Sequence, residues 1–348
     1  MKVLQTLPQH DLNAVPAAVK AAEESGFDMA VTMENKHDPF LPLAVAAVAS
    51  ERIELGTTVA IAFARSPMVV ANASWDLQTA SGGRFVLGLG PQIRPHNERR
   101  FSVPWSPPVP RLREYVQALR AIWRSWETGE KLAFEGEHYT FTLMVPNFVP
   151  ASTGQPPVPV TIAAVGEHSL RLAGEVCDGV RLHPFCTRAY GEDVAMKRIA
   201  EGMAKTGRTR ESFEVTGGGF VATGATDEDV AEVVEWVRYR VAFYGSTPSY
   251  WPVLEHHGHG DLGRKLNRMT KDGQWDEIAA EISDDVLRLF AAIGRHDEIA
   301  GAVETRFGGL ADAIYASTSS EMQPQVPADV LQDIHRVATR FTGFTKGW

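Results

Sequence analysis

The sequence predicts a (β/α)8 barrel forming one domain over residues 1–348. Three observations lead there. Strand and helix signals alternate along almost the whole chain. About eight strands can be counted, each trailed by a helix, with insertions after the fourth and the seventh. Polar residues and glycines stand at the C-terminal ends of these strands, where parallel α/β folds place their chemistry. A doubly wound sheet fits less well. Its glycine fingerprint would be Gly88-x-Gly90, which lacks a third glycine and sits on the fourth strand instead of the first. No hinge-like linker divides the chain.

The elements follow in order. Strand one covers residues 3–7. A helix over about 14–25 places Val15, Ala18, Val19 and Ala22 on one face, and Gly26 ends it. Strand two covers 29–33, and the next helix begins near Pro39. Strand three runs continuously over 53–62, then through Phe63-Ala64-Arg65-Ser66-Pro67 into a helix over about 68–79. Strand four covers 85–90. A proline-rich link, 104–110, opens a helix in which Leu112, Tyr115, Val116, Leu119, Ile122, Trp123 and Trp126 keep i, i+3, i+4 spacing. Residues 134–148 read as a small hairpin. Strand five (158–163), a helix from near Glu167, strand six (179–183), a helix over about 189–205 and strand seven (213–223) come next. Asp227 is the expected N-cap of a helix over 228–243. The Gly/His-rich stretch 245–263 reads as a loop, and two helices precede the last strand, 313–316.

Composition narrows the function. A formal charge of −9 leaves no basic stripe for nucleic acid, and the partner expected is a small-molecule substrate. The two cysteines, Cys177 and Cys186, give no disulfide framework. The first residues read as a strand instead of a signal peptide, and no apolar run reaches membrane-spanning length. A cytoplasmic protein is expected.

Several strand ends carry candidate chemistry. Strand two exits into Glu34-Asn35-Lys36-His37-Asp38-Pro39-Phe40. His37 is the natural general acid or base, since imidazole titrates near neutrality, and Glu34 or Asp38 could orient it. The plain alternative is that Asp38 caps the next helix and His37 is exposed. After strand four, Arg94, His96, Asn97, Glu98, Arg99 and Arg100 crowd together in what reads as a charged loop. After strand five, Ala164-Val165-Gly166 opens a helix whose N–H groups could approach a phosphate. Strand six ends His183-Pro184-Phe185. The cluster His256-His257-Gly258-His259 lacks the spacing of a helical zinc pair, and no metal is expected. A mobile substrate-side loop with Tyr250 and Trp251 is the better reading. Arg264, Lys265, Arg268 and Lys271 form either a solvated helix face or a grip for an anionic ligand tail.

Together these segments resemble the luciferase-like flavin oxidoreductases, specifically the branch that uses the deazaflavin coenzyme F420. The resemblance covers nearly the whole chain. It rests on Glu34-x-Lys36-His37-Asp38-Pro39-Phe40-x-Pro42, Leu55-Gly56-Thr57-Thr58-Val59, Ala64-Arg65-Ser66-Pro67, and Ser81-x-Gly83-Arg84-Phe85-x-Leu87-Gly88-x-Gly90. It extends through Arg99-Arg100-Phe101, Ala163-Ala164-Val165-Gly166 and Ala173-Gly174-Glu175-x-x-Asp178-Gly179. It implies hydride transfer between F420 and a small organic substrate. It also implies a bulge on strand three with a non-prolyl cis peptide at Thr58–Val59, under the ring. By the same resemblance His37 is the proton-transfer candidate, Thr58, Val59, Val165 and Gly166 are cofactor-binding, and Arg288 matches a basic residue that grips the phosphate in some relatives. Their places at strand ends add Glu34 to the catalytic candidates and Gly88, Gly90, Ala164 and His183 to the cofactor-binding ones. Relatives of this kind commonly form homodimers through barrel helices. Two rivals share the fold: an FMN-dependent monooxygenase, and a flavin- or deazaflavin-binding barrel without activity.

Overall fold

The structure is a computed structural model and describes residues 1–316 and 326–347. Strand β1 (Lys2–Thr6) leads to helix α1 (Val15–Ser25), β2 (Met29–Thr32) and α2 (Phe40–Ala49). Then come β3 (Glu54–Thr57), β4 (Ala60–Ile61), α3 (Pro67–Ala80), β5 (Phe85–Gly90), α4 (Arg94–Arg99) and α5 (Pro108–Thr128). A hairpin of β6 (Phe134–Glu135) and β7 (Thr140–Phe141) precedes β8 (Val160–Ala164), α6 (Glu167–Val176) and β9 (Gly179–Leu182). Helices α7 (Arg188–Tyr190) and α8 (Met196–Ala204) are joined by a π-helical turn over Gly191–Ala195. Strands β10 (Glu214–Gly217) and β11 (Phe220–Ala222) lead to α9 (Asp227–Gly245), α10 (Trp251–His256), α11 (Gly260–Lys271) and α12 (Asp284–Phe290). The chain ends with β12 (Ala291–Ile293), α13 (Ile299–Phe307), β13 (Ala313–Tyr315) and α14 (Ala328–His335).

Eight strand positions close into a parallel barrel. The order runs β3, β2, β1, β13, β10, β9, β8, β5, and β5 returns to β3. The fold class predicted from sequence is therefore correct, with its insertions after the fourth and seventh strands. Because every strand runs the same way, all C-terminal ends open at one mouth.

Four expectations need correction. Strand three is not continuous: it breaks at Thr58–Val59 into β3 and β4. Strand seven breaks as well. Gly217 and Gly218 hold φ of 82° and 91°, a left-handed conformation that suits glycine, and β11 leaves the barrel to pair with β12. The N-cap of α9 is Thr226, not Asp227; its hydroxyl accepts from Asp229 N–H while the Asp229 carboxylate accepts from Thr226 N–H. The Gly/His stretch is largely helical, in α10 and the start of α11, instead of a loop.

The main core lies between barrel and outer helices, joining Leu55, Phe85, Ile162 and Val180 from strands to Leu43, Val70, Trp123 and Ile199 from helices. The predicted stripe of α5, from Leu112 to Trp126, is buried there. The segments beyond strand seven form a second core together with Phe185 from beyond β9, including Phe220, Val237, Leu266 and Phe290. Inside the barrel, buried Arg181 donates to Thr161 (3.2 Å) and Thr216 (2.7 Å) and lies 3.5 Å from Glu214. Lys2 completes this layer from the base, 2.7 Å from Glu54 and 3.2 Å from Glu214. Pairing of this kind is what permits charges in a core. Among the described residues no helix is long and apolar enough to cross a membrane.

Candidate active site

The segment after β2 forms an arch from Glu34 to Asp38, and Arg65 holds both of its feet. Arg65 Nη1 lies 2.7 Å from Glu34 Oε2, and Nη2 lies 2.8 Å from Asp38 Oδ2. Burial works to lower the Arg65 pKa, but these carboxylates outweigh it and raise it. Glu34 also accepts the Ile61 N–H at 2.7 Å, which ties the arch to β4. Asp38 accepts from the N–H groups of Phe40 and Leu41, so it caps α2 as well. Arg100, just past α4, donates to the Asn35 carbonyl and secures the crown. His37 stands exposed on this crown. This is the arrangement of the plain alternative: Asp38 caps α2 and His37 is exposed, on an arch that Arg65 and Arg100 hold.

The Thr58–Val59 peptide is cis, as the resemblance implied. The two residues are half-buried, and Thr58 N–H donates to Thr32 O at 2.6 Å. Tyr315, at the end of β13, bonds to Thr58; burial raises its pKa, with Arg181 acting the other way. Gly88 and Gly90 serve this bulge from beneath. A Cβ on Gly88 would lie 2.0 Å from Thr57 O, and one on Gly90 would lie 2.7 Å from a Val59 methyl. Thr57 Oγ1 donates to Gly88 O at 2.6 Å and accepts from Gly88 N–H at 2.9 Å. Both glycines are buried, so they shape the floor through Thr57 and Val59.

Across the mouth, Ala164 is buried, Val165 half-buried and Gly166 exposed at the N-cap of α6. No side chain caps this helix, and no atom lies within 4 Å of a Cβ built on Gly166. The first N–H groups of a helix lack intrahelical acceptors, so the turn is open to an anionic oxygen. His183 follows β9. Its Nδ1 accepts the Phe185 N–H at 3.0 Å, which leaves the ring proton on Nε2, 3.2 Å from the Tyr250 hydroxyl. The imidazole stacks on Tyr250 and meets Tyr244 edge-on. Burial, with Arg240 adding to it, pushes its pKa down to about 3, so it is a neutral wall.

Other candidates lie elsewhere. Arg288 sits exposed on α12 and lines a side cavity with Arg188 and Arg306, away from the residues above. Arg94 and His96 are exposed on α4, where a loop was expected, and Arg94 pairs with Glu98. In the basic stretch, Arg264 pairs with Asp261 and Lys265 with Glu281, which favours the solvated-face reading. His257 bonds to Thr187, and His256 lies 3.3 Å from Asp193. Among the described residues, one group has metal-like proximity, Glu114, Glu137 and His138. Glu114 there already accepts N–H groups from Glu137, His138 and Tyr139. Sequence reasoning gave no role to Arg65 or Tyr315. Arg65 carried a usable signal, an arginine just past the third strand position.

With this geometry in hand, comparisons with known proteins decide the family. A model described as luciferase-like monooxygenase matches residues 3–313. The chain belongs to that family. Its luciferase-like sequence is 47% identical over 336 residues to the uncharacterized protein Rv1360 of Mycobacterium tuberculosis, covering 97% of this chain and 98% of that one. It is 30% identical over 290 residues to the 5,10-methylenetetrahydromethanopterin reductase of Archaeoglobus fulgidus, covering 81% of this chain and 82% of the relative. The coenzyme F420-dependent tetrahydromethanopterin reductase of Methanopyrus kandleri shares the luciferase-like barrel. Its TM-score is 0.75 at 19% identity, with 97% of each chain covered. Relatives and neighbours of this family member use F420 or FMN, and are oxidoreductases and monooxygenases.

Proposed function

We propose that this protein is an F420-dependent oxidoreductase that transfers a hydride between the deazaflavin and a small organic substrate. The observation that carries the reading is the mouth itself. A floor at Thr58–Val59, buttressed by Gly88, Gly90 and Tyr315, lies between the pinned arch bearing His37 and the uncapped turn Ala164-Val165-Gly166. These residues fit an elongated ring carrying a phosphate tail. The N–H groups of α6 would take the phosphate, Thr58 and Val59 would support the ring, and His183 with Tyr250 would wall its edge. Bound there, a deazaflavin supplies a carbon that accepts or donates a hydride. His37 takes up or releases the accompanying proton at a ring nitrogen. Glu34, committed to Arg65 and Ile61, orients the arch and leaves proton transfer to His37. The relatives named for F420 add weight to this cofactor over FMN.

The test has two parts. Binding is followed by F420 fluorescence and, separately, by FMN absorbance. His37→Ala is then compared with the parent on a panel of alcohols, aldehydes and activated alkenes. We expect F420 binding to persist in the variant while turnover falls at least a hundredfold. Binding of FMN alone would favour the monooxygenase reading, and tight binding without turnover would favour a non-catalytic barrel. We also infer a homodimer, supported by apolar residues on the outer faces of α2 and α3: Leu41, Val48 and Val69 are 57%, 77% and 56% exposed.

A further inference from the structure

At the base of the barrel, opposite the mouth, lies a pocket of about 150 Å³. Its wall includes Pro159, Asp178 and Phe213, which directly precede β8, β9 and β10. Arg120 of α5 and Arg208, between α8 and β10, stand beside them, and Phe344 and Thr345 of the C-terminal tail close one side. The space equals that of roughly five waters at ~30 Å³ each. It is smaller than the sites of most organic ligands, which run roughly 300–1,000 Å³.

The ionised side chains that line this pocket are two guanidiniums and one carboxylate. Cys177 in the wall adds no charge, because burial pushes its thiol up to about 12. The carboxylate, Asp178, is already engaged. It accepts the Val160 N–H at 2.8 Å and Arg120 Nη2 at 2.8 Å. Arg208 Nη1 lies farther off, at 3.8 Å. One positive charge is therefore left over, in a chain of net −9. Burial lowers the Arg208 pKa, and the pull of Asp178 does not restore it.

Both arginines also keep donors in reserve. Arg208 Nη1 donates to the Cys177 carbonyl, while Nε and Nη2 have no acceptor among the described residues. Arg120 Nη2 serves the Val176 carbonyl and Asp178, and Nη1 has no acceptor. Arg120 Nε is sealed off; these other three nitrogens are not. The two side chains are 32% and 26% exposed, so a solute can reach them. A guanidinium stays charged at any physiological pH, and a single oxyanion can accept from several of its N–H groups at once.

We propose that this pocket binds a small inorganic oxyanion of the phosphate type. Arg208 and Arg120 hold it against the base of β8 to β10, under the C-terminal tail. The proposal does not depend on the deazaflavin reading.

Calorimetric titration of the full chain with sodium phosphate, at fixed ionic strength in chloride, tests it. Saturable binding is expected that weakens at least tenfold in Arg208→Gln and survives in Gly166→Val. Ser212→Glu, which adds a carboxylate to the pocket wall, should weaken it as much, and decides the matter if Arg208→Gln fails to fold. Phenyl phosphate should bind at least tenfold more weakly than phosphate, since its ring exceeds the space. Absence of saturable binding, or binding that Arg208→Gln and Ser212→Glu leave unchanged, overturns the proposal. Binding lost in Gly166→Val would place the anion at the mouth, and a preference for phenyl phosphate would require a larger site; either result also overturns it.

Discussion

Arg65 shows how one side chain pins the segment that carries another, the exposed His37, without touching it. It joins Glu34, Asp38 and, through Glu34, the Ile61 amide, and its guanidinium lies 5.5 Å from the Phe40 ring. Replacing it by Met leaves the nearly buried Glu34 carboxylate without its counter-charge. The expected loss of stability is about 2–4 kcal/mol, read from urea midpoints, with lowered turnover from a loosened arch. Arg65→Lys should recover only part of either, since an ammonium cannot span both carboxylates as the planar fork does. His183 carries the pH prediction. Its folded pKa, about 3, lies below the unfolded value near 6.5. The unfolded chain therefore binds a proton that the folded chain refuses. Its contribution to stability is full above pH 6.5 and is lost as pH falls toward 3. By pH 4.5 the loss is ~2–3 kcal/mol, and the excess acid slope should vanish in His183→Gln. From sequence, residue type and position single out His37 as the proton-transfer candidate, a role that the His37→Ala comparison tests. The Arg65 clamp could not, because it links segments far apart in the chain through side-chain geometry.

Among the elements, β5 and the bulge it supports are the least tolerant of change. Gly88 exists because the Thr57 carbonyl occupies the space a side chain would need. Gly88→Ala must displace backbone, and we expect a thermal midpoint lower by at least 5 °C, or failure to fold. Gly166→Ala, with open space at its Cβ position, should melt within about 2 °C of the parent and serves as the control. The elements also show where sequence periodicity is sufficient. The α5 stripe was legible because seven apolar residues repeat at helical spacing and all seven are buried. The breaks in strands three and seven were not, since their apolar runs read as continuous strands; the Thr58–Val59 bulge was implied only by the family resemblance, and the break at the consecutive left-handed glycines of strand seven by nothing local. The Gly/His stretch misled for the opposite reason. Its glycines suggested a loop, yet Gly260 and Gly263 are buried within α11 where Trp251 and Arg264 pack close.

The whole molecule repeats the barrel logic predicted from alternation and strand count. Which strand ends would face one another was legible, since parallel strands all open at one end. Arg288 shows the limit. It follows two long insertions, and its position depends on how α9 to α12 pack, which no local pattern encodes. The inferred dimer belongs to this scale. Sedimentation should give a dimer for the parent chain and a monomer for Val48→Lys combined with Val69→Lys, with the circular dichroism spectrum unchanged. A parent that sediments as a monomer would refute the dimer.

The break at Gly217–Gly218 bears on how such a chain could diversify. On one side lies the closed barrel with the floor and the arch. On the other, residues from β11 to β12 pack around a second core that also takes in Phe185, Cys186 and Tyr190, and the two strands pair with each other. Entry and exit strands are thus neighbours, so the segment between them is a cassette whose two ends meet. A different cassette grafted between β11 and β12 would find the same docking strand and leave the floor at Thr58–Val59 intact. Recombination at this seam would exchange Tyr244 and Tyr250, the aromatic wall against His183, while the arch and the floor are inherited unchanged.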